Sequence, residues 1–350
     1  MREVAVISFA QVALRRATDQ NEVELLMPVV REALKRSRVP KGEIGFTVSG
    51  SSDYLQGQPF AFVLALDAVG AWPPICESHV EMDGAWALYE AWVKLQTGEA
   101  DTALVYSFGK SSPGDLPEIL ALQLDPYCVA PLWPDSVSLA ALQARTFLET
   151  TPHTERDLAL VAVRSRHDAR ENPNALVAGK FQVEKLLGEP YVAPPLRKHD
   201  CAPITDGAAA VVLAAGDRAR ALCDRPAWIR GIDHRVEPQG LGLRDLTCSS
   251  STKLAAEKAG LHAGALDSVE LHAPFTHQEL ILRGAMGLAA DVAISPSGGA
   301  LVSNPMMGAG LVRIGESAQR ILDGNARRTA AHATSGPCLQ QNLVCVLEAD

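Results

Sequence analysis

The chain of 350 residues lacks several features that would place it quickly. No uninterrupted apolar run reaches the roughly 18 residues that a membrane span needs. The most apolar stretch, from Phe60 to Trp72, is broken by Asp67. Basic residues are the minority: 32 Lys and Arg against 41 Asp and Glu leave a formal charge of −9. A nucleic-acid-binding scaffold would want a basic stripe instead. The seven cysteines, from Cys76 to Cys345, include no C-x-x-C pair, which argues against a disulfide framework or a zinc knuckle. They read as free thiols, most of them buried as small hydrophobes. The nine histidines form no H-E-x-x-H pair, so no metal is implied. Arg2 and Glu3 lead directly into a strand-like run rather than a signal peptide, and the expectation is a soluble, cytoplasmic protein.

Three nucleotide or nucleophile motifs fail as well. Gly109-Lys110-Ser111 follows a strand, but the phosphate-cradling loop needs a further glycine where Leu104 stands. No G-x-G-x-x-G follows a strand, and no G-x-S-x-G elbow is present.

What the sequence does contain is regular. Apolar residues make up 47%, enough for two cores of ordinary size. Strand patterns at 4–10, 44–48, 75–80 and 102–107 alternate with helix patterns at 21–38, 60–69 and 84–98, which predicts a mostly parallel sheet with crossover helices. A Pro-rich, partly helical stretch at about 108–200 reads as an insertion, and a buried strand follows within 201–215. The alternation then restarts near Ala227. The run from Gly84 to Gly98 matches the run from Gly310 to Gly324: 14 residues between glycines, each followed by a strand candidate. Residues 42–49 match 266–273 in strand pattern. Two matches in order predict a duplicated domain, with halves at 1–225 (insertion included) and 226–350.

Three stretches resemble the thiolase superfamily, nearest to the sterol-carrier-protein-type thiolases and their actinobacterial lipid-transfer-protein relatives. Residues 201–214 (CAPITDGAAAVVLA) are similar to that group's C-x-x-x-S-D-G-A-A-A strand. Residues 269–280 (VELHAPFTHQEL) resemble E-L-H-D-C-F-S-x-x-E-L, and 295–311 resemble the N-P-S-G-G…G-H-P-x-G-A-T-G segment with substitutions. The resemblance implies an α/β fold of duplicated five-stranded mixed sheets in αβαβα layers, plus an inserted loop domain.

The same resemblance brings the departures into view. The family's nucleophilic cysteine stands three residues before the glycine of the first central helix, where amides and dipole would favour a thiolate. Counting back from Gly84 gives Glu81. Cys76 lies five residues earlier and reads as a buried strand residue. The imidazole of H-D-C-F survives as His272, but the adjacent cysteine slot is Pro274. The histidine of G-H-P is Asn304, which can donate to an oxyanion but cannot shuttle a proton. The C-terminal C-x-G slot falls at Gly336, with Cys338 two residues on.

Without a thiolate, acyl transfer through an acyl-enzyme cannot run in the family's way. The first reading is therefore a non-thiolytic retro-aldol lyase acting on CoA thioesters of lipid or steroid side chains, beside an OB-fold DUF35-type partner. His272 or Glu81 would be its base. Asn304 and the Ser297-Gly298-Gly299 amides would steady the enolate, and Gly336 and Cys338 would lie at the pocket rim. The relatives that do this chemistry use tyrosines at related positions, and this chain has none there. A second reading is a catalytically degenerate subunit that binds an acyl-CoA or pairs, as a homo- or heterodimer, with a thiolase-like chain. A third is an ordinary thiolase using Cys76 or Cys338. No cofactor is implied beyond coenzyme A as part of the substrate, for whose phosphate Arg164, Arg166 and Lys180 are candidates.

Overall fold

The structure is a computed structural model that describes residues 2–17 and 19–350. Twelve strands form among them: β1 (Val4–Leu14), β2 (Phe46–Gly50), β3 (Glu77–Val80), β4 (Thr102–Gly109), β5 (Tyr191–Ala193), β6 (Leu196–Arg197), β7 (Asp206–Ala215), β8 (Ala227–Val236), β9 (Ser268–Leu271), β10 (Ala293–Ile294), β11 (Arg328–Ser335) and β12 (Gln341–Glu348). Ten of them join in the order β10-β9-β11-β12-β8-β1-β7-β4-β2-β3, and β5 pairs with β6 apart from the rest.

That order is one five-stranded pattern written twice. In the first half β1 and β4 flank β7 antiparallel, while β2 runs parallel to β4 and β3. In the second half β8 and β11 flank β12 antiparallel, while β9 runs parallel to β11 and β10. Among the described residues, the strands of the two halves pair only where Ala5 and Val6 meet Trp228 and Ala227. The central strands are mostly apolar because both faces are covered: all ten residues of β7 are buried, Asp206 at its start included.

Helices Gly84–Gln96 and Ala309–Leu322 lie between the two sheets. One core cluster holds Ala85, Leu88, Leu311 and Ile314 together with residues of both sheets, such as Val105 and Leu343. Helices Glu22–Ser37 and Ala61–Val69 cover the outer face of the first sheet, and Ser250–Lys258 and Thr276–Ala285 cover the second. The result is the αβαβα layering that the resemblance implies, built on the duplication that the repeat predicts. Both central helices give way to a glycine in the left-handed region, Gly98 at φ 78° and Gly324 at φ 77°, a conformation without penalty only for glycine.

The elements run longer or shorter than their patterns. β1 continues to Leu14 because β7 pairs with its full length. β3 begins only at Glu77, so Cys76 stands before the strand and is exposed rather than a buried strand residue. Only Cys338 and Cys345 are buried, while Cys76, Cys128 and Cys248 are exposed, so the reading of most thiols as core residues is corrected. The inserted segment carries four helices, the longest Ser136–Thr150 and Glu155–Asp168, and the β5–β6 pair. No helix among the described residues is long and apolar enough to cross a membrane.

Candidate functional site

Two turns meet where the central helices begin. The chain leaves β3 through Glu81, Met82 and Asp83 and enters the first helix at Gly84. The second helix begins at Ala309 after the turn 304–308. Gly84 N–H donates to Met307 O at 2.8 Å, which holds the two turns together. The helix is capped by Asp83 rather than Glu81. The Asp83 carboxylate accepts from Ala85 N at 2.9 Å and, across the interface, from Gly310 N at 2.8 Å and Leu311 N at 3.0 Å. One carboxylate thereby satisfies amides at both helix starts. Burial pushes its pKa up to about 6 against the pull of those three donors. The fit is close, since a Cβ on Gly310 would lie 2.5 Å from Asp83 Oδ1.

Glu81 is half-exposed, at 48% of its side chain. Its Oε1 accepts from Asp53 N at 2.7 Å, and its Oε2 lies 3.3 Å from His79 Nε2. On the other side of the meeting point, β9 ends at Leu271 and delivers His272, whose backbone N–H donates to His332 O. His272 Nε2 lies 3.1 Å from Asn304 Oδ1, and Nδ1 accepts from Thr334 N at 3.3 Å. A backbone N–H can only donate, so Nδ1 carries the lone pair and Nε2 the proton. Burial, with His332 and Arg313 adding to it, pulls the His272 pKa down to about 3, so the ring is neutral around pH 7. In this state both ring nitrogens are committed, and the imidazole is a donor that orients Asn304. Asn304 N–H in turn donates to Thr205 Oγ1 at 2.9 Å, and with Oδ1 held by His272 its Nδ2 amide is turned the other way.

Ser297, Gly298 and Gly299 are buried and committed elsewhere. Ser297 N–H donates to Glu270 Oε1 at 2.9 Å, Gly298 N–H to Ser295 O at 2.8 Å, and Gly299 N–H to Ser297 Oγ at 3.3 Å. Their amides are thus engaged in holding the loop itself. Beneath them Arg313 Nη1 reaches Glu270 at 3.0 Å and Ser297 Oγ at 2.7 Å, a buried ion pair at the root of the E-L-H motif. Ser297 also lines a cleft of about 740 Å³ walled by Gln11, Glu32, Asn172, Glu316 and Arg320, which does not include His272, Asn304 or Glu81.

Gly336 is exposed, with φ 74°. Cys338 is buried, its Sγ donating to Leu139 O at 3.5 Å and its carbonyl accepting from Arg244 at 3.1 Å. Burial pushes its thiol up to about 11, and that of Cys201 to about 12, which leaves both protonated. Arg164 pairs with Glu279 at 2.5 Å and Arg166 is buried over the Phe181 ring, so neither is a free cation; Lys180 is exposed. No group of three potential metal ligands occurs among the described residues.

The motifs located His272 and Asn304, which the structure joins directly. They did not single out Asp83, Asp206 or Glu270. Asp206, the acid of the D-G-A-A-A strand, is fully buried and accepts from Ala17 N at 2.7 Å and Ser112 N at 3.0 Å. For Asp83 a local signal existed, an aspartate directly before a helix start.

No protein-family model matches the chain. It is 28% identical over 337 residues to an acetyl-CoA acetyltransferase of Methanothermobacter thermautotrophicus, covering 88% of each chain. It is 35% identical over 111 residues to the 17-hydroxy-3-oxo-4-pregnene-20-carboxyl-CoA lyase of Mycobacterium tuberculosis, which is 30% of this chain and 29% of the lyase. Among solved structures, an Ltp2-ChsH2(DUF35) aldolase superposes with a TM-score of 0.82 at 17% identity, covering 99% of this chain and 98% of the other. Human mitochondrial 3-ketoacyl-CoA thiolase superposes at 0.77 and 16% identity, covering 99% of both chains. The homologues of this chain are thus thiolase-superfamily proteins, and its fold is the thiolase fold.

Proposed function

We propose that the chain acts on a CoA thioester as a non-thiolytic carbon–carbon lyase. The observation that carries this reading is the pairing of His272 with Asn304 beside a turn, Glu81-Met82-Asp83, that holds carboxylates and no thiol. Such a site has a donor for a developing oxyanion and acids that can take a proton, but no sulfur to acylate.

A retro-aldol cleavage uses those parts. A base removes the proton of the 3-hydroxyl, the bond between carbons 2 and 3 breaks, and its electron pair becomes the thioester enolate. The enolate is then protonated at carbon 2, leaving a ketone and a shorter acyl-CoA. Because both nitrogens of His272 are engaged, the base in this scheme is Glu81, which afterwards returns the proton. Asn304 Nδ2 faces the enolate oxygen, and His272 keeps it there. The lyase relative and the DUF35-bound aldolase neighbour favour this chemistry and an OB-fold DUF35-type partner. The test is to incubate the protein, alone and with that partner, with a 3-hydroxyacyl-CoA bearing a tertiary alcohol. Release of ketone and shortened acyl-CoA is expected; none under any partner condition removes the reading.

A specific observation also supports pairing with another thiolase-like chain. β3 is the open end of the sheet, and the segment leading to it exposes Tyr54, Phe60, Val63, Leu64 and Trp72, the last at 84%. Large exposed apolar residues near an unpaired strand edge are the usual sign of a covered surface.

A further inference from the structure

We infer that Ser49 and His79 are positioning residues for Glu81, forming with it a hydrogen-bonded row that fixes its carboxylate in one orientation. The inference deepens the proposed lyase reading and rests on it for the role of Glu81.

The row is built by strand register. β4, β2 and β3 run parallel as neighbours, and Tyr106 pairs with Ser49 and Ser49 with His79. Paired residues on adjacent strands present side chains on one face, so the three stand abreast, and Glu81 follows His79 by two positions. Ser49 Oγ lies 3.1 Å from His79 Nδ1, and His79 Nε2 lies 3.3 Å from Glu81 Oε2. Ser49 is fully buried. The imidazole is stacked on Phe62 with centroids 4.4 Å apart and planes 10° from parallel, which prevents it from rotating out of the row. The second Glu81 oxygen is occupied by the Asp53 N–H.

This arrangement has a direction. A carboxylate only accepts, so His79 Nε2 must carry the proton facing Glu81. In the neutral ring Nδ1 is then an acceptor, and the Ser49 hydroxyl must donate to it. Removing that hydroxyl lets the neutral ring exchange its proton to Nδ1, which takes away the donor facing Glu81 and frees the carboxylate to change rotamer. The logic is that of any partner that sets a histidine tautomer from behind. From sequence the segment reads only as a strand, and Glu81 is reached only by counting from Gly84. The His79 and Ser49 roles follow from which strands lie side by side.

The experiment uses the full chain labelled with ¹⁵N, at pH 8. Long-range ¹H–¹⁵N correlation spectra, with His79 assigned through His79→Gln, should show the Nε2–H tautomer. Ser49→Ala should shift the ring toward a tautomer mixture and lower kcat by about tenfold with KM unchanged. That loss should vanish in a Glu81→Gln background. His79→Gln places an amide N–H near the same position and should retain more turnover than His79→Leu. An Nδ1–H tautomer in the unaltered chain, or Ser49→Ala leaving tautomer and kcat unchanged, overturns the inference. Absence of turnover in the unaltered chain removes the lyase reading, while the tautomer still decides the row.

Discussion

At the residue scale the chemistry is set by which polar atoms are already engaged. His272 spends both nitrogens, one on Thr334 and one on Asn304, so replacing Asn304 tests the proposed oxyanion donor without removing the proposed base. Asn304→Ala is expected to lower kcat by about 10²–10³, the usual loss for one such donor, with circular dichroism unchanged. Asp83 makes a different prediction. Its folded carboxyl holds a proton up to about pH 6, whereas an unfolded aspartate releases it near 4. Between those values the native state binds the extra proton, so this group's contribution to stability is full below about pH 4 and is lost as pH rises toward 6. Urea midpoints from pH 4 to 7 should show that decline in the unaltered chain and its absence in Asp83→Asn. Near neutral pH the variant should also be less stable by about 1–3 kcal/mol, because an amide cannot cap two helix starts as well. Glu270→Gln should cost more, about 3–5 kcal/mol by denaturant midpoint, since it leaves Arg313 buried without its charge partner.

At the scale of elements, the glycine-bounded helices were legible because they are written locally. An apolar stripe, a helix start and a glycine at the left-handed exit lie within one stretch of chain. The same holds for the repeat, since each half spells its strands in the same order. What could not be read is whatever depends on two distant segments meeting. Asp83 bonds residues 227 and 228 positions away, and the Ser49–His79 contact follows from the register of β2 and β3. The buried reading of Cys76 failed for a similar reason, since β3 starts one residue later, at the exposed end of the sheet. One contact between elements governs the site. A Cβ on Gly109, at the end of β4, would sit 1.9 Å from Met306 O. Gly109→Ala must therefore push the 304–308 turn away and carry Asn304 with it. Turnover should fall by at least tenfold, and a structure of the variant should show that turn displaced.

At the scale of the whole molecule, the question is whether any of the seven cysteines carries an acyl group during turnover. The fold alone does not decide, because a thiolase and an Ltp2-ChsH2(DUF35) aldolase superpose on it nearly equally well. Physical chemistry favours the negative answer: burial holds the thiols of Cys201, Cys338 and Cys345 above their ordinary range. Cys76 is exposed and stands five residues before the turn, outside any helix. Cys76→Ala and Cys338→Ala, singly and together, should leave turnover of the 3-hydroxyacyl-CoA within about twofold of the unaltered chain. Intact-mass measurement during turnover should show no acyl adduct on the protein. Since an acyl-enzyme is obligatory for thiolysis and has no place in retro-aldol cleavage, a covalent adduct on any cysteine would exchange one mechanism for the other.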